Sequence, residues 1–488
     1  MEIQVNAIVS LKKQIKDIII DYKNWLVAHN DEKYNKLETI NGWVRDFRQQ
    51  TENAFISLHD GSTGEILQVI CSNSILDNFS ELENMRGACI QVTGNVIKSP
   101  AKGQLIELVA SNIKVLGDVQ DKRSILLAKN VQLDTLRSYQ HLRPRFRTFG
   151  YIYKIRSTLL KNIHTFFHAN NFYNIDPNII TTSDCEGAGE VFTITTLDLN
   201  KNNAGDNYKN DFFSKQAFLT VSSQLQLEAL AAGLSRVYTL NPSFRAEKSK
   251  TKRHLACFTH LEWEIAFINI DDLMNFSEGL LKYVIGSTLN DCSYEYTELD
   301  KFISKGIIDK LNGFIHCNFA RISYDKALEI ITENKNQILK KFAKEITIND
   351  IPKWGDDLGS YCERFICEDI YKKPTFVYNY PRELKSFYMK INEDGKTVQG
   401  VDLLIPGLGE LIGSSIREEN HDKLCNEMVR RGMEQDKLQW FIDLRKNSTF
   451  EHGGAGLGFD RLVNMCTLMD GNIRDVVPFP VAFQECDY

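Results

Sequence analysis

The sequence predicts an α+β protein in two parts: a small N-terminal β-barrel, then a larger domain built on an antiparallel β-sheet flanked by helices. Three observations carry this. Short runs of alternating apolar and polar residues fill about 80 positions near the N-terminus. The roughly 350 residues that follow mix helical and strand-like patterns without regular strand–helix alternation. Neither a Walker-type loop nor a Gly-x-Gly-x-x-Gly fingerprint occurs, which counts against a P-loop or Rossmann core.

Taken in order, residues 8–28 place Leu11, Ile15, Ile18, Ile19, Tyr22, Trp25 and Leu26 at helical spacing, with lysines and aspartates between them. An amphipathic helix docked on its own protein is expected, within an N-terminal extension of residues 1–35. Over residues 36–118 the period becomes two, in runs at 40–44, 54–58, 66–70, 90–94 and 105–109. Turn formers such as Asp60-Gly61-Ser62 and Lys102-Gly103 separate the runs. Five short strands in that length suit a small barrel, and an oligonucleotide-binding (OB) barrel is one solution. A charged link, 119–137, leads into the larger domain, 138–488. There, helices are expected at 151–170 and 271–289, with a small insertion at about 290–385. The Asn- and Lys-rich stretch 199–211 reads as a surface loop.

At 488 residues the chain can bury large cores, and 43% hydrophobic with 25% charged residues is ordinary for a globular protein. The net charge of −6 argues against a coat that binds nucleic acid by bulk electrostatics, so contact with RNA must come from local patches, and no DNA partner is expected. The eleven cysteines show no Cys-x-x-Cys spacing, so neither a disulfide framework nor a zinc site is expected, and a reducing, cytoplasmic compartment fits. No apolar run approaches 18 residues and no signal-type N-terminus is present; no membrane partner is expected.

Two stretches carry chemistry. In the first, Phe244-Arg245-Ala246-Glu247 leads through a basic loop to Arg253-His254 and then Phe258, with Glu262 and Glu264 beyond. A strand, a loop and a returning strand could wrap a nucleoside triphosphate, because guanidinium forks suit phosphate oxygens and a phenylalanine face covers a purine. The second is Gly453-Gly454-Ala455-Gly456-Leu457-Gly458-Phe459-Asp460-Arg461, where glycines permit close backbone approach ahead of an arginine on a helix. Alone, each is compatible with a basic surface loop or a glycine-rich turn. A further pair, Asp402 and Glu410, brackets Leu403-Leu404-Ile405-Pro406-Gly407-Leu408-Gly409, and two carboxylates at the ends of a tight turn can converge on a hard cation.

Together, the first two stretches resemble motifs 2 and 3 of class II aminoacyl-tRNA synthetases. From about residue 38 to 480 the chain resembles asparaginyl-tRNA synthetases, in the subgroup shared with aspartyl and lysyl enzymes. Supporting runs include Ser183-Asp184-Cys185-Glu186-Gly187-Ala188-Gly189-Glu190, Phe218-Leu219-Thr220-Val221-Ser222-Ser223-Gln224-Leu225, Asp394-Gly395-Lys396-Thr397-Val398 and Asn472-Ile473-Arg474-Asp475. The resemblance implies an OB-fold anticodon-binding barrel, a class II catalytic domain, and ligation of L-asparagine to tRNA(Asn) at the expense of ATP, with Mg2+, in a homodimer. Arg245 would grip the α-phosphate, and Arg253 and His254 the β- and γ-phosphates. Phe258 and Arg461 would sandwich the adenine. Glu247 would meet the adenine or the tRNA 3′ end, and Asp402 and Glu410 would hold the metal. Arg245 and Arg461 are the residues expected to stabilise the reacting phosphate. On the barrel, Phe55 would stack on an anticodon base, Gln68 and Glu107 would read the central uridine, and Arg45 would meet backbone phosphate or the first base.

For the amino acid, the resemblance places Glu186 and Gln224 at the α-amino end and Arg417 at the side-chain oxygen. Arg417 accepts either an amide or a carboxylate. Glu262, where aspartyl enzymes place an aspartate, can accept a hydrogen bond from an amide NH2. Leu227 stands where aspartyl enzymes place a lysine that would pair with a substrate carboxylate. An aspartate facing Glu262 at ~4 Å would meet a repulsion of about 4 kcal/mol at an effective dielectric near 20, so asparagine is favoured. An aspartyl or relaxed enzyme, and a non-catalytic RNA-binding relative, are the alternatives. Three positions depart from the family pattern: Cys257 replaces a glutamate, Pro177 is displaced by one position in motif 1, and Val481 replaces an arginine.

Overall fold

The structure, a computed structural model, describes residues 11–29, 33–76, 85–101, 103–183, 190–198, 208–447, 449–469 and 471–488. It divides into two compact units, Met1–Tyr151 and Ile152–Tyr488. Among the described residues no helix is long and apolar enough to cross a membrane.

The first unit is a closed five-stranded barrel. Its strands are β1 (Asn35–Gln49), β2 (Asn53–His59), β3 (Leu67–Ser72), β4 (Cys89–Lys98) and β5 (Ile106–Gly117), joined in the order β1-β2-β3-β5-β4. All pairs are antiparallel except β3 with β5. Each expected strand is present, because period-two alternation sends one set of side chains inward: Ala54, Ile56 and Leu58 of β2 and Leu67, Val69 and Cys71 of β3 are buried. Helix α1 (Ile15–Ala28) adds Ile15, Ile18, Ile19 and Tyr22 to the same core, so the amphipathic helix docks on its own barrel as its spacing implies. It begins four residues after Leu11, which is exposed.

The second unit is built on an eight-stranded sheet. Helix α2 (Arg147–Ala169), within which the division between units falls, is followed by β6 (Tyr173–Asn174), α3 (Gln224–Leu234), β7 (Arg236–Phe244), β8 (Cys257–Ala266) and α4 (Ile270–Asp291). After these come β9 (Ala320–Ser323), β10 (Thr375–Pro381), β11 (Thr397–Ile405), β12 (Gly409–Ile416), α5 (His421–Arg430), α6 (Gln439–Lys446), β13 (His452–Gly458) and α7 (Phe459–Thr467). The sheet order is β9-β10-β11-β12-β13-β8-β7-β6. The six central strands pair antiparallel, and the two edge strands are parallel to their neighbours. One face packs on helices: Trp263 and Leu261 of β8 are fully buried, and Phe167 of α2 stacks on Tyr238 of β7 with ring centroids 4.3 Å apart. The opposite face, from which Phe258, His260, Glu262 and Glu264 project, is left for chemistry.

Candidate active site

The site forms where β7, β8, β11, β12 and β13 lie side by side. The expected strand–loop–strand is present: β7 ends at Phe244, residues 245–256 make the loop, and β8 returns from Cys257. The glycines of β13 pair with β8, Gly454 opposite Glu264 and Gly456 opposite Glu262. A Cβ on Gly454 would collide with the Glu264 carboxylate and the Trp263 carbonyl, so only glycine leaves room for that side chain.

Two cavities open on this face. The first, about 180 Å³, is lined by Arg245, Glu247, Arg253, His254, Phe258, Glu410 and Arg461, which gathers every expected nucleotide residue. Arg245 stands over the Phe258 ring, its guanidinium carbon 5.7 Å from the centroid. Glu247 lies 3.9 Å from both Arg245 and His254. His254 shares its Nδ1 with the hydroxyls of Ser249 (3.0 Å) and Thr251 (2.5 Å), and burial, with Arg461 nearby, holds its pKa below the usual imidazole range. Arg253 Nη2 donates to the Gly407 carbonyl at 3.3 Å, and Arg461 Nη1 donates to the Glu410 carbonyl at 3.0 Å. Both arginines are thereby tied to the β11–β12 turn, in which Gly407 and Gly409 adopt positive φ.

The second cavity, about 400 Å³, is lined by Gln224, Leu227, Glu262, Glu264 and Arg417, together with Lys385, Asp402 and Glu410. Arg245, His260, Glu410 and Gly456 belong to both, so the two compartments meet at Arg245 and Glu410. Glu262 is buried here. Its oxygens accept the Ser223 backbone N–H (2.9 Å) and the Ser222 hydroxyl at the start of α3. His260 lies 3.5 Å away, and burial keeps its pKa low. The carboxylate that holds Arg417 is Glu264, two residues on along the same strand face: Arg417 Nε and Nη2 reach its two oxygens at 3.0 and 2.9 Å. Burial opposes the Arg417 charge, and Glu264 outweighs it, holding the guanidinium pKa above its usual range. Glu186 lies outside the described residues.

Asp402 on β11 and Glu410 on β12 come together across a register shift, both reaching the space beside Gly413, where a Cβ would lie 3.1 Å from Glu410 Oε1 and 3.9 Å from Asp402 Oδ1. Two further groups join them that sequence reasoning missed. Lys385 donates to Asp402 Oδ2 at 2.5 Å and sits 3.9 Å over the Tyr380 ring. Burial works against its charge, but Asp402 and Glu410 prevail and hold its pKa above the usual range. Glu363, on the helix Ser360–Phe365, is pushed up to about 8 by burial and by Glu410 and Asp402. Two hard oxygen donors with a cation already seated on one of them form a donor set that fits Mg2+.

Cys257 and Val481, both departures from the family pattern, face each other in an isolated antiparallel bridge. The bridge is made by backbone, the Ala256 N–H donating to the Val481 carbonyl at 2.8 Å.

On the barrel, Phe55 lies on the outer surface of β2, half-exposed, and pairs with Ile70. Gln68 and Glu107 are register partners on β3 and β5, next to Ser57, so the structure brings these residues onto one face. Glu107 is buried and accepts from Ser99 Oγ (2.8 Å) and Gln104. Arg45 does not join them. It sits at the irregularity of β1 and donates to the Arg145 carbonyl at 2.7 Å, where burial and three neighbouring arginines lower its pKa to about 10. That bond uses one of the five guanidinium N–H groups of Arg45.

Family comparison agrees with this geometry. The model of class II tRNA synthetases (D, K and N) matches residues 132–482, and that of the OB-fold nucleic acid binding domain matches 38–116. The asparagine–tRNA ligase of Vibrio vulnificus (strain YJ016) is 41% identical over 450 residues, covering 91% of this chain and 94% of that one. The asparagine–tRNA ligase of Borreliella burgdorferi (strain B31) is 42% identical over 472 residues, covering 96% and 97%. Among solved structures, asparaginyl-tRNA synthetase from Pyrococcus horikoshii complexed with asparaginyl-adenylate superposes with a TM-score of 0.78 at 30% identity, over 92% of this chain and 95% of that one.

Proposed function

The chain belongs to the class II tRNA synthetases of the D, K and N group, and we propose that it is the member that activates L-asparagine with ATP and transfers it to the 3′ end of tRNA(Asn). The observation that carries this reading is the junction of the two cavities at Arg245 and Glu410. A nucleotide in the first and an amino acid in the second would bring an α-phosphate against a carboxylate at that point.

The substrate carboxylate oxygen attacks the α-phosphorus, the bond to the bridging β-phosphate oxygen breaks, and pyrophosphate leaves. The resulting mixed anhydride is attacked at its carbonyl carbon by a terminal ribose hydroxyl of the tRNA, which loses its proton as AMP departs. Phosphoryl chemistry of this kind depends on positioning and charge neutralisation rather than on a protein nucleophile. Arg245 stabilises the α-phosphate as it gains charge, and Arg461 opposes Phe258 across the base. Arg253 and His254 hold the outgoing phosphates. Asp402 and Glu410 would hold Mg2+, which when bound supplies charge neutralisation to the phosphates. Gln224 and Arg417 take the two ends of the amino acid. Glu262, with spare acceptor capacity beyond Ser222 and Ser223, takes the amide NH2.

On the barrel, Phe55, Gln68 and Glu107 form the anticodon-reading face. A homodimer is part of the same proposal. Tyr173 on β6, Leu234 at the end of α3 and Phe267 just after β8, the last 75% exposed, are apolar surface that a second copy could cover. A cytoplasmic location is supported by the ten described cysteines, none of which is in a disulfide.

Charging of total tRNA with labelled asparagine and aspartate tests the reading. Asparagine should be esterified and aspartate rejected; equal charging would overturn the assigned selectivity. Sedimentation should give twice the chain mass, and a monomer at micromolar concentration would remove the dimer.

A further inference from the structure

We infer that Glu228, a residue that touches no substrate, is a positioning residue that sets the pocket's preference for a neutral side chain. This rests on reading the second cavity as the asparagine pocket. Glu228 lies one helical turn after Gln224 on α3, and its side chain is wholly buried. Oε1 accepts Gln224 Nε2 at 3.0 Å and lies 3.9 Å from Arg417 Nε. Oε2 accepts Arg445 Nη2 at 2.6 Å and faces His452 Nε2 at 3.1 Å. One carboxylate therefore joins the residue assigned to the amino end of the substrate with the residue assigned to its side-chain end.

The electrostatic consequence follows from counting charges. Behind the pocket, Glu264 is matched by Arg417 and Glu228 by Arg445. Burial and the guanidinium of Arg445 compete over Glu228, and the arginine, helped by His452 and Arg417, keeps its pKa well below the usual carboxylate range. Arg417 thus meets the substrate with its positive charge already balanced, while Glu262, held by Ser222 and Ser223 and 3.5 Å from a His260 whose pKa burial keeps low, contributes a negative charge. An amide adds no charge to this pocket, whereas a carboxylate adds a second negative one in a poorly hydrated space.

Donor atoms of Glu228, Glu264 and His452 lie within 4.8 Å of one another, a spacing that a metal could use. Guanidinium groups of Arg417 and Arg445 already supply the positive charge there, so the cluster is an ion-pair network. Arg445 is itself fixed by donating Nε to the Glu418 carbonyl at 3.0 Å and by lying 4.0 Å over the Phe441 ring.

ATP–pyrophosphate exchange with asparagine and with aspartate, on the full chain, tests the role of Glu228. In Glu228→Gln the ratio of kcat/KM for asparagine over aspartate should fall about tenfold or more, mainly because aspartate improves. If both substrates decline together and the ratio holds, Glu228 is scaffold only and the inference fails. Should that variant not fold, Arg445→Gln carries the test with opposite sign, since it strips positive charge: its ratio should rise about tenfold, and an unmoved ratio overturns the inference. A wild-type chain that exchanges neither amino acid, or both equally, defeats the pocket reading itself. A selective wild type whose ratio neither variant moves defeats only Glu228.

Discussion

The barrel and the catalytic sheet are both β-structures, yet they carry their candidate sites in opposite ways. In the barrel, alternation separates the labour: Ala54, Ile56 and Leu58 point in and hold the fold, while Phe55 and Ser57 point out. In the sheet the site is part of the core. Glu264, Glu228, Arg417 and Arg445 are all buried, and Glu262 both lines the cavity and anchors the start of α3. A surface site can be altered without touching stability, whereas a site built from buried charge cannot.

That contrast can be broken by measurement. The largest effect is expected at Arg461, on α7 beside the sheet, whose guanidinium reaches over to the Glu410 carbonyl of β12. Arg461→Ala should lower pyrophosphate exchange about a thousandfold while tRNA binding, which the proposed anticodon face of the barrel would carry, stays nearly intact; unchanged exchange would remove Arg461 from the site. Next, Gly454→Ala forces a methyl group into the Glu264 carboxylate. It should cost about 1–3 kcal/mol of stability and raise the asparagine KM, and a variant that melts like wild type would show that site and core are separable after all. Phe55→Ala should weaken tRNA binding by ~1–3 kcal/mol with exchange and melting temperature unmoved. A lowered melting temperature would mean that Phe55 supports the fold.

The smallest effect sharpens the comparison through pH. Glu427 on α5 accepts bonds from Arg382, Arg430 and Arg431. Burial alone would raise its carboxyl, but these arginines bring the pKa down from 4.5 to about 2. A depressed folded-state pKa contributes stability that is fully present above the unfolded value and is lost as pH falls through 4.5 toward 2. Glu427→Gln should flatten the acid limb of the melting curve of the catalytic unit over that window; a slope identical to wild type would refute the assignment.

How much was legible in the sequence follows the same division. The five barrel strands could be read because period two is a local signal, and the helices at 147–169 and 270–291 because apolar spacing is too. That Arg245, Arg253, His254, Phe258 and Arg461 would gather at one cavity could be anticipated because cationic and aromatic residues of the types that suit phosphate and purine are grouped in two short stretches. Glu264 left a signal that went unused: it stands two residues after Glu262 and so shares its strand face. Glu228 left a weaker one, a lone acid in the apolar helix Gln-Leu-Gln-Leu-Glu-Ala-Leu, four residues after Gln224. Lys385 and Glu363 left none, since only the folded sheet brings them to Asp402. The bond from Arg45 to the Arg145 carbonyl left none either, because nothing in β1 announces that this carbonyl returns to meet it.

The ammonium of Lys385 resting on Asp402 bears on the idle protein. Two carboxylates without a counter-ion repel each other, but here a tethered amine stands on one of them. If the pair holds Mg2+ as proposed, chelator treatment should silence turnover and lower the melting temperature by no more than the loss of the bound ion accounts for, leaving the protein folded.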